Sequence, residues 1–197
     1  MILWIADHYV EILGVISSLL YLLFSIKQNI LLWPTGMISA LLYMVVFFQS
    51  KFYADMGLNA YYFFISIYGW ALWSRKKSDG EGEGLVITRI NPKQGVILIL
   101  ITGVFFAGIG LVLERFTDSP VPYWDAFTTA LSFTATWMLA RKMLEHWILW
   151  VIVDVVSMGL YLYRGLYPTL VLFAVYTGMA VIGYIQWNKT LQNTNRD

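Results

Sequence analysis

Seven apolar stretches, each bounded by charged or turn-forming residues, run along the chain at about 10–26, 30–50, 56–73, 95–113, 123–140, 146–163 and 168–187. Each holds roughly the number of residues that a helix needs to cross the hydrocarbon of a bilayer. They are too continuously apolar for the two-residue alternation of a barrel strand, and hydrocarbon offers no partner to an unpaired backbone group, so the pattern predicts helical spans. The fourth stretch is aliphatic and carries Gly95, Gly103, Gly108 and Gly110, whereas the others are rich in aromatics and hydroxyls. It reads as a lipid-facing connector. One connection is long and polar, Ser74 to Gln94, with Arg75, Lys76, Lys77 and the run Asp79 to Gly84, and it reads as a solvated linker.

The pattern repeats. At an offset of 114, residues 9–73 align without a gap on 123–187 and share eleven identities, among them Ser18/Ser132, Trp33/Trp147, Tyr62/Tyr176, Gly69/Gly183 and Trp73/Trp187. Glu11/Asp125 and Lys27/Arg141 pair as well, and every expected helix end falls in register. Four crossings separate equivalent helices, an even number, so both copies point the same way through the membrane. The expected architecture is an all-α integral membrane protein with seven transmembrane helices in a 3+1+3 parallel-repeat, SWEET-like arrangement. Residues 1–73 form the first three-helix repeat, 74–94 a cytoplasmic linker, 95–113 the connector, 114–187 the second repeat and 188–197 a cytoplasmic tail. Parallel repeats of this kind place substrate near the midplane between the halves, so a transporter is the leading class.

Composition agrees: of 197 residues, 59% are hydrophobic and 13% charged, far from the balance of a soluble domain. The net charge of +1 gives no reason to expect nucleic acid. The chain has no cysteine and two histidines far apart, which removes disulfides and thiolate ligands and leaves no expected metal or cofactor. The first charges are Asp7 and Glu11, with no basic run before the first apolar stretch, so that stretch is expected to remain as a span. Ten basic residues, including Lys27, Arg75, Arg89, Arg141 and Lys189, fall in one set of alternate loops, and Lys51, Arg115 and Arg164 in the other. The positive-inside rule then places the N-terminus outside and the C-terminus in the cytoplasm.

The sharpest chemistry lies in the sixth span, where Trp147, Trp150 and Asp154 follow a spacing that puts two indoles and a carboxylate on one helix face. A charge near the middle of a span costs about 2.5–3.5 kcal/mol on insertion scales, so Asp154 must face a cavity or a partner. Indole faces attract cations and a desolvated carboxylate fixes them, which suggests a cation site; an interfacial role for Trp147 and a helix partner for Asp154 are the plainer alternatives. In the third span Asn59, Phe63, Ser66 and Trp70 share a face, and Asn59 suits either a ring amine or amide of a substrate or an interhelical hydrogen bond. Under the repeat, Trp150 corresponds to Gly36, Asp154 to Ala40 and Asn59 to Phe173, so the polar anchors are not duplicated. The duplicated Tyr176 belongs first with packing, though it too could reach the pathway. Pro34 and Gly36 suit a loosened start to the second span, and Pro168 opens the seventh. The hydroxyls of Ser17, Ser18, Thr128, Thr129, Ser132, Thr134 and Thr136 suit close helix packing or pore lining. Glu11 and Asp125 suit helix capping or cation attraction. No nucleophile–base pair or metal-ligand set accompanies these residues, and the seventh span has no lysine for a retinal, so an enzyme or a photoreceptor is disfavoured.

Trp33-Pro-Thr-Gly, Phe52-Tyr-Ala-Asp55, Ile67-Tyr-Gly-Trp-Ala-Leu-Trp73, Ala140-Arg-Lys142, Glu145, Trp147-Ile-Leu-Trp150, Asp154 and Arg164-Gly-Leu-Tyr167 together resemble the PnuC-type vitamin transporters, over residues 9–187. The resemblance implies a bacterial cytoplasmic membrane protein that carries an unphosphorylated vitamin by facilitated diffusion. It also implies a homotrimer and a cytosolic kinase that traps the arriving substrate. It carries Trp150, Asp154, Asn59, Trp147, Phe63, Ser66 and Tyr176 forward as substrate-binding candidates, with substrate entering between the halves. In the nicotinamide riboside branch the positions of Asn59 and Asp154 are usually Gln and Asn. An ionised Asp accepts hydrogen bonds only, which suits a cation with an exocyclic amine, so the similar PnuT branch and thiamine are the favoured reading, with nicotinamide riboside as the alternative and riboflavin below both.

Overall fold

A computed structural model describes residues 2–49, 53–75, 85–163 and 165–194. Among them are seven helices: α1 (Ile2–Ile26), α2 (Leu32–Gln49), α3 (Tyr53–Ser74), α4 (Pro92–Phe116), α5 (Pro122–Ala140), α6 (His146–Tyr163) and α7 (Tyr167–Thr194). Every apolar stretch becomes a helix. The large departures lie at the chain's two ends, where α1 begins at Ile2 and α7 continues to Thr194. Hydrophobic patterning marks the part of a helix that faces hydrocarbon, so polar ends such as Asn188-Lys-Thr-Leu-Gln-Asn-Thr194 extend a helix without signalling it. By length and apolarity, Leu32–Gln49, Pro92–Phe116, His146–Tyr163 and Thr169–Thr194 can each cross a membrane, and Leu13–Ile26 is a shorter apolar helix. Lys51, Lys76, Lys77, the Asp79 to Gly84 run, Arg164 and Arg196 lie outside the described residues, as do the side chains of Glu11 and Pro168.

The chain divides into two compact units, Met1–Val86 and Ile87–Asp197. In the first, α2 packs against both α1 and α3; in the second, α6 packs against α5 and α7, and α4 lies against α5. The outward residues of α4, including Ile99 and Val104, are strongly exposed apolar side chains, which suits a helix facing lipid. A buried cluster of Leu98, Met138 and Met143, with Ile90, Trp137 and Leu149 against it, seals α4 to α5, and Thr102 and Thr134 share a hydrogen bond of 2.7 Å between them. Most other hydroxyls in α1 and α5 turn back on their own helix: Ser17 to the carbonyl of Leu13 and Ser132 to that of Thr128, for example, whereas Ser18 also shares a hydrogen bond with Ser39 of α2. That arrangement satisfies a hydroxyl in hydrocarbon without any partner helix.

The end of the polar linker is tied to the second unit by hydrogen bonds, with most of its described side chains exposed. Thr88 N–H donates to the Lys142 carbonyl at 3.0 Å and Leu144 N–H to the Thr88 carbonyl at 2.9 Å. Ile90 N–H donates to Glu145 Oε2, and the Arg89 guanidinium donates to Asn188 Oδ1. Asn91 and Gln94 then form a capping box that starts α4. Loop composition looks the same in either case, because bonds between segments this far apart in the chain leave no local trace.

Each unit contains the same wedge. In the first, Trp33 lies so close to Gly69 that a methyl there would be 2.4 Å from the indole, and Trp73 meets Trp33 edge-on at 5.4 Å. In the second, a methyl on Gly183 would be 2.5 Å from the Trp147 indole, and Trp187 meets Trp147 edge-on at 5.8 Å. The turn before each wedge is also the same. Gln28 (φ 53°) and Lys142 (φ 52°) both adopt the left-handed conformation. Gln28 N–H bonds the Ser25 carbonyl and Asn29 N–H that of Phe24; Lys142 N–H bonds Leu139 and Met143 N–H bonds Met138. These are helix ends of the Schellman type, built here on residues other than glycine.

Because the wedge leaves no room for a side chain at the glycine, Gly183→Ala should destabilise the protein by about 1–3 kcal/mol, as overpacking does. Thermal unfolding in detergent should show a lowered midpoint for Gly183→Ala and partial recovery in Gly183→Ala with Trp147→Phe. An unchanged midpoint for the single variant would mean that the α6–α7 contact is looser than this geometry.

Candidate functional site

The second unit holds the ionic part of the site. Along α6, residues 147, 150, 154, 157 and 161 fall on one face, and three contacts set its register against α7. Trp147 covers Gly183, Met158 Sδ accepts from Thr177 Oγ1 at 3.8 Å, and Tyr161 packs on Phe173 at 4.9 Å. Asp154 lies between Trp147 and Met158 and is therefore level with the part of α7 between Thr177 and Gly183, where Ala180 is buried. Asp154 is the ninth residue of an 18-residue helix and only 5% exposed. Among the described residues it has neither a hydrogen-bond partner nor an ion-pair partner. A carboxylate so placed pays a desolvation cost that nothing described here offsets, the condition under which a buried charge is retained for a ligand.

The two indoles of this face differ. Trp147 is 1% exposed, lies on Gly183, and is enclosed by Trp187 and by His146, whose ring centroid is 4.5 Å away. His146 Nδ1 bonds the Met143 carbonyl, while His146 Nε2 and Trp147 Nε1 are buried with no described partner. Trp147 is thus committed to helix packing at the end of α6. Trp150 is half-buried and meets no other aromatic ring among the described residues. Tyr176, half-buried on α7, packs at a tilt beside Phe173 at 5.6 Å and extends the aromatic wall begun by Tyr161.

The first unit holds neutral polar groups. On α3, Asn59 and Ser66 are buried, Phe63 is half-buried with its ring edge-on to Phe64, and Trp70 is exposed. Ser66 Oγ donates to the Tyr62 carbonyl at 2.7 Å, so its proton is committed and only its lone pairs remain free. Gly36 does not break α2, which is continuous from Leu32 to Gln49. It serves as a contact point: a methyl there would meet the Tyr21 ring at 2.9 Å and Ser66 Oγ at 3.1 Å. The candidates therefore fall into two groups, Trp147, Trp150, Asp154 and Tyr176 in one unit and Asn59, Phe63 and Ser66 in the other. Asp125, in the first turn of α5, accepts a hydrogen bond from Ser119 and stands apart from these groups, at the helix start.

The family model of the nicotinamide mononucleotide transporters matches residues 8–189. The chain belongs to that family. It is 28% identical over 202 residues to the nicotinamide riboside transporter PnuC of Escherichia coli K12, covering 91% of this chain and 84% of that protein. It is 24% identical over 180 residues to the riboflavin/roseoflavin transporter RibM of Streptomyces davaonensis, covering 90% of this chain and 83% of that one. The crystal structure of the vitamin B3 transporter PnuC superposes with a TM-score of 0.77 at 23% identity, over 97% of this chain and 85% of that chain, and shows that the fold is shared. As a family member with several apolar helices, the chain is a multi-pass membrane protein of the vitamin transporter class.

Sequence reasoning passed over Tyr21. Its signal was present in the repeat, where Tyr21 and Gly36 align with Ala135 and Trp150, but neither identity nor helical spacing ranks an exchange of that kind.

The two indoles should separate by experiment. Trp147→Ala should cost about 3–5 kcal/mol of stability, as large-to-small changes in a core do, whereas Trp150→Ala should leave the unfolding midpoint nearly unchanged. Thermal unfolding of both variants without ligand checks this, and an equal loss in the two would place Trp150 in the packing as well.

Proposed function

We propose that this protein takes up an unphosphorylated, cationic, aromatic vitamin by facilitated diffusion, and that nicotinamide riboside is the substrate. The observation that carries the reading is Asp154, buried and without a described partner, one helical turn beyond the half-buried indole of Trp150. An indole face and a dry carboxylate together favour a flat cation. The lone carboxylate pointed to thiamine from the sequence, but nicotinamide riboside is also a cation and meets the same requirement. The relatives compared above are named for nicotinamide riboside and riboflavin, which favours the riboside. A mononucleotide fits less well than a nucleoside, because α1, α2, α3, α5 and α6 contain neither Lys nor Arg to take a phosphate, and Asp154 would repel one.

In this reading Asp154 balances the charge of the pyridinium, Trp150 lies against its face, and Asn59 offers an amide to a polar group of the substrate. Phe63, Ser66 and Tyr176 contribute surface, and Trp147 holds the end of α6 that presents Trp150. The three-helix units form a 3+1+3 parallel repeat in the bacterial cytoplasmic membrane with the N-terminus outside, the chain assembles as a homotrimer, and a cytosolic kinase keeps uptake running by phosphorylating the arriving nucleoside.

Calorimetric titration of the purified protein with nicotinamide riboside, thiamine and riboflavin tests the substrate, and Asp154→Asn tests the anchor. Nicotinamide riboside should bind, and Asp154→Asn should weaken it by tenfold or more. Binding of thiamine alone would change the substrate and keep the anchor; binding of riboflavin alone, whose ring is neutral, would overturn the cation reading. Undiminished binding in Asp154→Asn would remove Asp154 from the site.

A further inference from the structure

Among the described residues of the second unit, the buried hydroxyl side chains are Ser132, Thr134, Thr136 and Ser157. The first three turn back on their own helix and bond the carbonyls of Thr128, Ala130 and Ser132. Ser157 does not. Its hydroxyl makes no hydrogen bond among the described residues, although the Val153 carbonyl stands one turn back on the same helix. A buried hydroxyl in that state has lost its water without gaining a partner, which folded proteins tolerate where something else completes the bond.

Ser157 lies on the same side of α6 as Trp150 and Asp154. Ile148, Ile152 and Val155 take the other side and are exposed, as suits lipid. Along the helix axis Trp150, Asp154 and Ser157 follow one another at steps of about 6 Å and about 4.5 Å. The carboxylate and the hydroxyl are not sealed in. Among the described residues, the buried polar atoms that lack both a partner and contact with open space are Trp33 Nε1, His146 Nε2 and Trp147 Nε1, and neither Asp154 nor Ser157 supplies one. At 5% and 7% exposure both therefore border open space on the packed side of α6. In nicotinamide riboside the charged ring nitrogen is also the atom that bears the sugar. A nitrogen held at Asp154 brings that sugar next to the carboxylate, and the nearest polar side chain on this face is Ser157.

We propose that the Ser157 hydroxyl is a substrate contact that hydrogen-bonds the hydroxyl-bearing part of the vitamin beside the carboxylate of Asp154, which is the ribosyl group if the substrate is nicotinamide riboside. This rests on the transport reading above, but it concerns a separate residue and a separate part of the ligand, and it draws on α6 alone. A serine hydroxyl both donates and accepts, so it pairs with an alcohol in either sense. A cation whose substituent is apolar would leave Ser157 unpaired and is selected against.

Ser157→Ala removes one oxygen that the protein itself does not use. Without ligand its unfolding midpoint should equal that of the wild type, while its affinity for nicotinamide riboside should fall by about three- to tenfold. Titrating wild type and Ser157→Ala with the 2′-, 3′- and 5′-deoxy analogues completes the test: for one analogue the two proteins should bind alike, since the partner hydroxyl is gone. Undiminished affinity of Ser157→Ala for the riboside overturns the proposal, as does a loss of the same size with all three analogues. A lowered midpoint without ligand also overturns it, because the oxygen would then belong to the packing. If the wild type does not bind the riboside, the substrate reading fails on its own. Ser157→Ala is then titrated with whichever of thiamine or riboflavin binds, each of which carries a hydroxylated tail, and unaltered affinity there overturns the contact. Binding of none of the three overturns both readings.

Discussion

In each unit an indole is seated on a glycine, Trp33 on Gly69 and Trp147 on Gly183, and much else follows from it. Between helices in lipid the hydrophobic effect gives no net drive, so association depends on close van der Waals fit, and a small residue opposite a large flat one supplies it. The second tryptophan of each pair, Trp73 or Trp187, closes the indole from the side at an edge-on angle. That geometry fixes the depth at which the second helix of the unit begins against the third. In the second unit it thereby fixes the height of Trp150 and Asp154 one and two turns further along α6.

The left-handed turn before the wedge serves the same end. Gln28 and Lys142 hold a conformation that costs a side-chain-bearing residue about 1 kcal/mol. The cost is borne because the paired backbone bonds that end α1 and α5 also start α2 and α6 in the right direction. In the second unit the turn has a further hold, the strand-like pairing of Thr88 with Lys142 and Leu144 and the bond from Ile90 to Glu145. The helix that carries the buried carboxylate is thus the one whose entry is most firmly fixed.

Much of this could be read from the sequence, for a physical reason. Backbone satisfaction in hydrocarbon forces helices wherever apolar residues run on, so the seven elements were legible, and the duplicated Tyr62, Gly69 and Trp73 were legible as residues needed twice. Asp154 was legible because a carboxylate inside such a run has no ordinary explanation. Spacing alone could not separate Trp147 from Trp150. Both lie on the face of Asp154, and only the position of Gly183 across the helix pair shows which indole is spent in packing. The docking of residues 87–91 was invisible because it joins segments far apart in the chain, in good part through backbone groups that every sequence supplies equally.

The way the repeat has diverged bears on how such a site is made. A charge buried in a membrane helix costs about 2.5–3.5 kcal/mol each time it occurs, so one copy is tolerable for function and a second would add cost without a second cation to balance it. Ala40, the counterpart of Asp154, is accordingly apolar and buried. The wedge and the turn carry no such cost and remain in both units. Just beyond the wedge, Tyr21 and Gly36 of the first unit stand where the second has Ala135 and Trp150, which changes the chemistry while keeping one aromatic residue in each unit. A duplicated frame can in this way supply two unlike surfaces, one neutral and hydroxyl-bearing, one aromatic and anionic.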